Sequence, residues 1–383
     1  VRILNIHSYP FGLVNKEGSP NGGGEKVHLD IHHLLEENGI DIYSFCSESD
    51  PLHGDRWVKV LPSGGLDPWK KNKTQIYADI TKAINKLKPD IIINNGSDKL
   101  LRLTNHLRIP SLFVDHRSND IHKLYHADFF TNSAFKNREL GGKSVTVSLY
   151  SQLTKNNVIK KYWGDKGYEL DGYLQFQYVT PELESYEVAK YKTKNCITIG
   201  RPETNKNPHR IKKFAEKYKL DYRIITQLPD KPKPDTEKYF NEKIVANPGV
   251  LKRTHVNIGR KFTMTMLKNS MLYYSTSEIE SAGITAFESL CLGVPLVLYS
   301  PLRYHASQMF APDGEKYCWD YDNKTANLEE YVEHCKSLNF DQRREIANYT
   351  RSHSSKRIIA MKIIQQLDSI YNNKKPVGLE DYV

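Results

Sequence analysis

Two carboxylates and two cations define the chemistry open to this chain. Glu280 and Glu288 have seven residues between them, Ser281-Ala282-Gly283-Ile284-Thr285-Ala286-Phe287. Gly283 lets a backbone approach a ligand closely. The amides of Ile284 and Thr285, at the start of an expected helix, offer an anion site. Arg201 and Lys206 lie in a second polar stretch, Gly200-Arg201-Pro202-Glu203-Thr204-Asn205-Lys206. Two cations there would neutralise the charge that develops on a departing diphosphate. Carboxylates that accept from sugar hydroxyls, beside amides and cations that hold phosphate, suit a nucleotide-sugar. Spacing alone equally allows Glu280 to be an acid favoured by a helix N-terminus and Glu288 a solvated helix residue.

Other candidates lie in the first half. Asp115-His116-Arg117 follows the apolar run Ser111 to Val114, so it falls at a strand end, where His116 could contact a substrate hydroxyl or simply satisfy a core. Asp115 could instead cap the helix that follows. The run Asn21-Gly22-Gly23-Gly24 leads into a helical pattern, which places Gly23 and Gly24 where a phosphate or sugar meets a helix N-terminus. Trp69-Lys70-Lys71 and the stretch Lys155 to Tyr168 interleave aromatics with cations, the composition of a surface that stacks bases and meets phosphates, though also of an ordinary solvated loop.

The elements that would position these groups alternate between strand and helix. Arg2 to His7 reads as a strand, Glu25 to Asn38 as a helix with Val27, Ile31, Leu34 and Leu35 on one face, and Ile40 to Phe45 as a strand. A helix over 74–87, a strand over 90–94, a helix over 97–107 and strands over 111–114, 128–131 and 144–149 continue the rhythm. Residues 151–194 lose it and are assigned to a linker and lid segments. The rhythm restarts with a strand over 196–199, a helix over 209–218 and a strand over 222–226. Proline-rich residues 229–250 are expected to be loop around one short helix, and 257–269 a helix. Met271 to Tyr274, the helix from Ile284 to Leu292 and Val294 to Tyr299 then form a βαβ unit. A strand over 316–319 and three terminal helices near 327–337, 340–351 and 354–371 follow. Such alternation predicts doubly wound parallel sheets, whose ligands bind at the carboxyl ends of the strands.

Composition narrows the class. At 383 residues the chain is too long for one ordinary core, so two domains are expected. No apolar segment approaches the roughly 18 residues of a membrane span, and the first residues read as a strand rather than a signal peptide. Five scattered cysteines without paired short spacing predict reduced thiols in a cytoplasmic protein and no zinc site. The net charge of +10 is unevenly placed: residues 190–270 hold 20 Lys and Arg against 7 Asp and Glu, whereas residues 1–180 hold 23 against 20. That basic stretch could meet nucleotide phosphates, nucleic acid or an anionic membrane surface.

Together these residues resemble the retaining glycosyltransferases of the GT-B fold. Gly200-Arg201 with Lys206 resembles the phosphate signature of that family. Glu280 to Glu288 resembles its Glu-x7-Glu motif, followed by Leu292-Gly293-Val294-Pro295, and Asn21 to Lys26 resembles its first glycine-rich loop. The resemblance spans residues 1 to about 300. It implies two Rossmann-like, doubly wound α/β domains facing across a cleft. The first, residues 1–175, lies on the acceptor side and is completed by the terminal helix over 354–383; the second, 176–353, binds the nucleotide-sugar. It further implies that Glu280 contacts the transferred sugar, that Glu288 contacts the ribose, and that Arg201 and Lys206 hold the pyrophosphate. Backbone from Ala282 to Thr285 would help, and His116 would stand near the reacting sugar. Gly23, Gly24 and Gly200 would line the donor, and Asp115, Arg117, Trp69, Lys70 and Lys71 the acceptor. Ala282 stands where the family often has an aromatic residue, and Pro202-Glu203 where an apolar residue is more usual. The fold normally needs no metal, and no cofactor is expected beyond a UDP-sugar as substrate.

Size, the Lys-, Asn- and Tyr-rich composition and Tyr173-Leu174-Gln175-Phe176-Gln177 before the second domain also resemble phage enzymes that glycosylate hydroxymethylcytosine in DNA. This implies double-stranded DNA with modified bases as partner and the host cytoplasm as location. The alternatives are a transferase acting on cell-surface polysaccharide or a lipid-linked sugar, a nucleotide-sugar epimerase on the same fold, and a non-catalytic sugar-binding protein.

Overall fold

The computed structural model describes residues 1–7, 13–14, 23–61, 73–95, 107, 109–115, 144–148, 172–173, 177–204, 206–229, 231–277, 283–298, 317–320 and 327–372. The chain divides into two compact units: Val1–Phe176 with Lys356–Val383, and Gln177–Ser355.

Among the described residues unit 1 holds seven parallel strands: β1 (Arg2–Ile6), β2 (Asp41–Ser47), β3 (Trp57–Leu61), β4 (Ile91–Asn95), β5 (Ser111–Asp115), β6 (Ser144–Ser148) and β7 (Gly172–Tyr173). Their order across the sheet is β3-β2-β1-β4-β5-β6-β7. Order reverses at β1, which pairs with both β2 and β4, and this switch point is where an open α/β sheet offers a crevice. Helix α1 (Gly23–Glu37) follows β1 and α2 (Lys73–Leu87) precedes β4. The apolar face of α2, Ile76, Ile80 and Ile84 at helical spacing, packs with Leu4, Ile6, Phe45 and Ile92 of the sheet.

Among the described residues unit 2 holds six parallel strands: β8 (Asn195–Ile199), β9 (Asp221–Thr226), β10 (Thr254–Val256), β11 (Leu272–Ser275), β12 (Leu296–Leu298) and β13 (Cys318–Asp320), in the order β10-β9-β8-β11-β12-β13. Its helices are α3 (Pro181–Ser185), α4 (Ile211–Tyr218), α5 (Pro234–Phe240), α6 (Pro248–Leu251), α7 (Arg260–Asn269), α8 (Ile284–Cys291), α9 (Leu328–Ser337) and α10 (Phe340–His353). Helix α4 buries Ile211, Phe214, Ala215 and Tyr218, spaced i, i+3, i+4, i+7, and Phe214 stacks on Tyr274 of β11 with ring centroids 4.1 Å apart. The last helix, α11 (Lys356–Tyr371), returns to unit 1. It buries Ile359, Ile363, Leu367 and Ile370, and Lys356 pairs with Glu37 at the end of α1.

The predicted α/β class and parallel sheets are those observed, with three local corrections. Residues 229–250 are chiefly helical: α5 runs into a wide helical turn (Asn241–Val245), and α6 follows. Two of the prolines that suggested loop occupy first-turn positions, where no backbone N–H is required: Pro234 opens α5 and Pro248 opens α6. Strands β3 and β10 escape the sequence pattern because both lie at sheet edges, half-exposed, and β10 has only 3 residues. Helix α7 begins at Arg260 rather than 257, since Asn257 takes a left-handed φ of 54°. The expected helix over 97–107 and strand over 128–131 lie almost wholly outside the described residues. All five cysteines are buried free thiols.

Candidate functional site

In unit 2 the carboxyl ends of β8 and β11 are neighbours, because these strands pair in parallel with Leu272 opposite Cys196. The segment after β8 folds tightly. Gly200 donates its amide to Ile225, and the amides of Lys206 and Asn207 both reach the carbonyl of Glu203, at 3.0 and 2.9 Å. Asn207 adopts a left-handed φ of 44° and its side chain turns back to the Thr204 carbonyl, which launches the short helical turn into α4. Arg201 is 62% exposed, with Nη1 3.3 Å from Glu203 Oε1. Beyond β11, Thr276 donates from Oγ1 to the carbonyl of Lys206 at 2.6 Å. That bond ties the cationic loop to the segment leading to α8.

Helix α8 starts at Gly283, whose φ of 50° and ψ of 47° are left-handed, a geometry glycine adopts without strain. Ile284 and Thr285 are the first two helical residues, so their amides have no acceptor within the helix. Glu288, in the next turn, is 4% exposed, which excludes a solvated helix face. Arg260 at the start of α7 donates from Nη2 to Glu288 Oε1 at 2.7 Å and from Nε to Glu182 Oε2 at 2.7 Å. Burial draws the Arg260 guanidinium down, but Glu288 and Glu182 reverse this and hold it above its usual value.

In unit 1, Gly23 and Gly24 are the first residues of α1 itself. The carboxyl ends of β1 and β4 carry a buried polar cluster that the sequence reading missed. Asn5 donates from Nδ2 to the His28 carbonyl at 3.0 Å, while Asn95 donates to Asn5 Oδ1 and lies 3.3 Å from His28 Nδ1. His7, at the end of β1, meets the His28 ring edge-on at a centroid distance of 4.5 Å. Burial pushes His7 down to about 3 despite its bond to the backbone of Phe45. The signal available in sequence was Asn5, His7, Asn94 and Asn95 interrupting or ending runs otherwise fully apolar.

The structure therefore brings Gly200, Lys206, Thr276 and the neighbouring strand ends together, and sets Gly283, Ile284, Thr285 and Glu288 along α8. Glu280, Ala282, His116, Arg117, Trp69, Lys70 and Lys71 lie outside the described residues, and Asp115 is described only as the last residue of β5. Among the described residues no group of three or more His, Cys, Asp or Glu side chains could hold a metal ion, and no helix is long and apolar enough to cross a membrane.

No family model matches the chain, and no curated protein matches it either. Solved structures do. Sucrose-phosphate synthase from Thermosynechococcus elongatus superposes with a TM-score of 0.66 at 11% identity, over 98% of this chain and 100% of that one. The lipopolysaccharide outer core galactosyltransferase WaaB gives 0.60 at 14%, over 97% and 99%. HepE from Anabaena, in complex with UDP and glucose, gives 0.55 at 16%, over 96% and 99%. At these identities the likeness establishes the architecture. The chain has the GT-B fold of two Rossmann-like domains, along essentially its whole length.

Proposed function

We propose that this protein is a retaining glycosyltransferase that moves a sugar from a UDP-sugar to a hydroxyl group. The observation that carries the reading is the Thr276–Lys206 bond, which joins the cationic loop after β8 to the segment before α8 at one sheet edge. Arg201 and Lys206 hold the pyrophosphate with the first amides of α8, Glu280 contacts the sugar, and Glu288 accepts from the ribose hydroxyls. In front-face attack, the acceptor oxygen bonds to the anomeric carbon as the bond from that carbon to the phosphate oxygen breaks. The acceptor proton passes to the departing phosphate, whose charge the two cations stabilise. His116 stands on the acceptor side. A UDP-bound structural relative supports the donor class.

The favoured acceptor is the hydroxymethyl group of modified cytosine in phage DNA, flipped out of the duplex and modified in the host cytoplasm. The basic excess of residues 190–270 and the aromatic-cationic stretches around Trp69, Lys70 and Lys71 support it. A second reading, transfer to cell-surface glycan, is favoured by the structural relative that builds lipopolysaccharide outer core.

Incubation with UDP-sugars and either hydroxymethylcytosine DNA or plain DNA, digestion to nucleosides and mass analysis tests the acceptor. A sugar-bearing nucleoside from the modified DNA alone is expected, and its absence with every donor rejects DNA. Isomerised sugar without acceptor would indicate an epimerase. Arg201→Ala, Lys206→Ala and Glu280→Ala should each lower activity by about 100-fold or more with the fold retained.

A further inference from the structure

Sequence spacing pointed to Glu288 but not to the residue that holds it. Arg260 is 28 positions earlier and Glu182 a further 78, yet one guanidinium binds both carboxylates through different nitrogens, each at 2.7 Å. The arrangement is graded in exposure: the Glu288 side chain is 6% exposed, that of Arg260 47% and that of Glu182 43%. Bonding through two nitrogens of a planar group fixes both position and orientation, which a lysine ammonium would not do. As a stabilising device a half-exposed ion pair contributes little, so the arrangement is better read by what it orients. Two carboxylates on one cation also leave the cluster with a formal charge of −1, suited to hydroxyl donors and unsuited to phosphate.

We propose that Arg260 is the positioning residue for the nucleoside of the donor: it fixes the Glu288 carboxylate in the orientation that accepts from the ribose hydroxyls, and Glu182 braces Arg260 from the outer side. This rests on the reading of Glu288 given above. In this role Arg260 acts through Glu288 rather than on the substrate. It lies on a different helix from Glu288, so donor recognition depends on how the start of α7 sits against the second turn of α8.

Calorimetric titration with UDP and with its 2′,3′-dideoxy analogue tests this. Wild-type protein should prefer UDP by about 10-fold or more, the scale of hydrogen bonds to a charged acceptor. Arg260→Gln should lose most of that preference while binding the dideoxy analogue almost as wild type does. Arg260→Lys should restore part of it. Glu182→Gln should weaken UDP by about 2–3-fold, the scale of an exposed ion pair. Adding Arg260→Gln to Glu288→Gln should cost nothing further, because both act through one carboxylate. Thermal melts check that each variant is folded, and Arg260→Lys keeps the test open if Arg260→Gln is not. Undiminished preference for UDP in folded Arg260→Gln, or additive losses in the double variant, overturns the proposal while leaving the donor reading intact. If folded wild-type protein binds UDP but ignores the ribose hydroxyls, the role of Glu288 fails. Failure to bind UDP at all rejects the UDP-donor reading and this inference with it.

Discussion

The backbone of Gly293 lies directly beneath that of Arg343: a Cβ on Gly293 would stand 2.4 Å from the Arg343 carbonyl oxygen. The contact is reciprocal, since Arg343 donates from Nε to the Gly293 carbonyl at 2.9 Å and from Nη2 to Lys268 at 2.7 Å. Arg343 is 1% exposed, and burial lowers its guanidinium to about 10. Gly293 also has a φ of 73°. Gly293→Ala should therefore destabilise the protein by about 3 kcal/mol or more, from backbone overlap added to left-handed strain. The shift in urea midpoint measures it, and a shift under about 1 kcal/mol would contradict this packing.

Thr276 supplies a second expectation. Its hydroxyl donates to the Lys206 carbonyl and lies 3.4 Å from Thr198 Oγ1. Thr276→Val keeps the shape, removes the donor and should cost about 1 kcal/mol. Because the bond anchors the cationic loop, UDP affinity should fall about 3–10-fold, read by titration. Unchanged affinity would mean that the loop is set by its own turn.

Stability should fall in mild acid because two buried histidines stay neutral. Burial lowers His7 to about 3 and His32 to about 3, in the latter case with His33 and Arg56 adding to the effect. Below pH 6.5 the unfolded chain binds protons at these rings while the folded chain does not. Their contribution is thus complete above 6.5 and lost as pH falls toward 3. Each should cost about 1–2 kcal/mol between pH 6.5 and 5. His32→Gln should remove its share of that slope in urea unfolding measured at pH 5, 6 and 7.5.

The polar floor of unit 1 can be probed at Asn5. Asn5→Ala takes a donor from the buried His28 carbonyl and an acceptor from Asn95, so about 2–3 kcal/mol should be lost. If the variant melts with wild type, water has replaced the amide.

Local pattern revealed much of this molecule, and the reasons it stopped are physical. Strand–helix alternation was readable where an interior strand is buried on both faces, as in β4, whose Ile91, Ile92 and Ile93 leave an unbroken apolar run. β3 was invisible because its outer face meets solvent. The meeting of the Lys206 loop with the segment after β11 follows from the pairing of β8 with β11, an order that strand–helix alternation alone does not fix. Arg260 was likewise not legible, because a salt bridge between two helices leaves no periodic mark in either. His28 carries no mark in the sequence, because Asn5 and Asn95, which close around it, come from two strands distant in the chain.

The return of α11 to unit 1 has a consequence for biosynthesis. Unit 2 is uninterrupted in the chain, whereas unit 1 needs residues 356–371, which pack against α1 and β5. A ribosome therefore delivers everything unit 2 needs before unit 1 can close. During that interval the apolar surface that Ile359, Ile363, Leu367 and Ile370 will later shield is open to water. A chain truncated after residue 355 would hold every residue of unit 2 while leaving that surface of unit 1 bare.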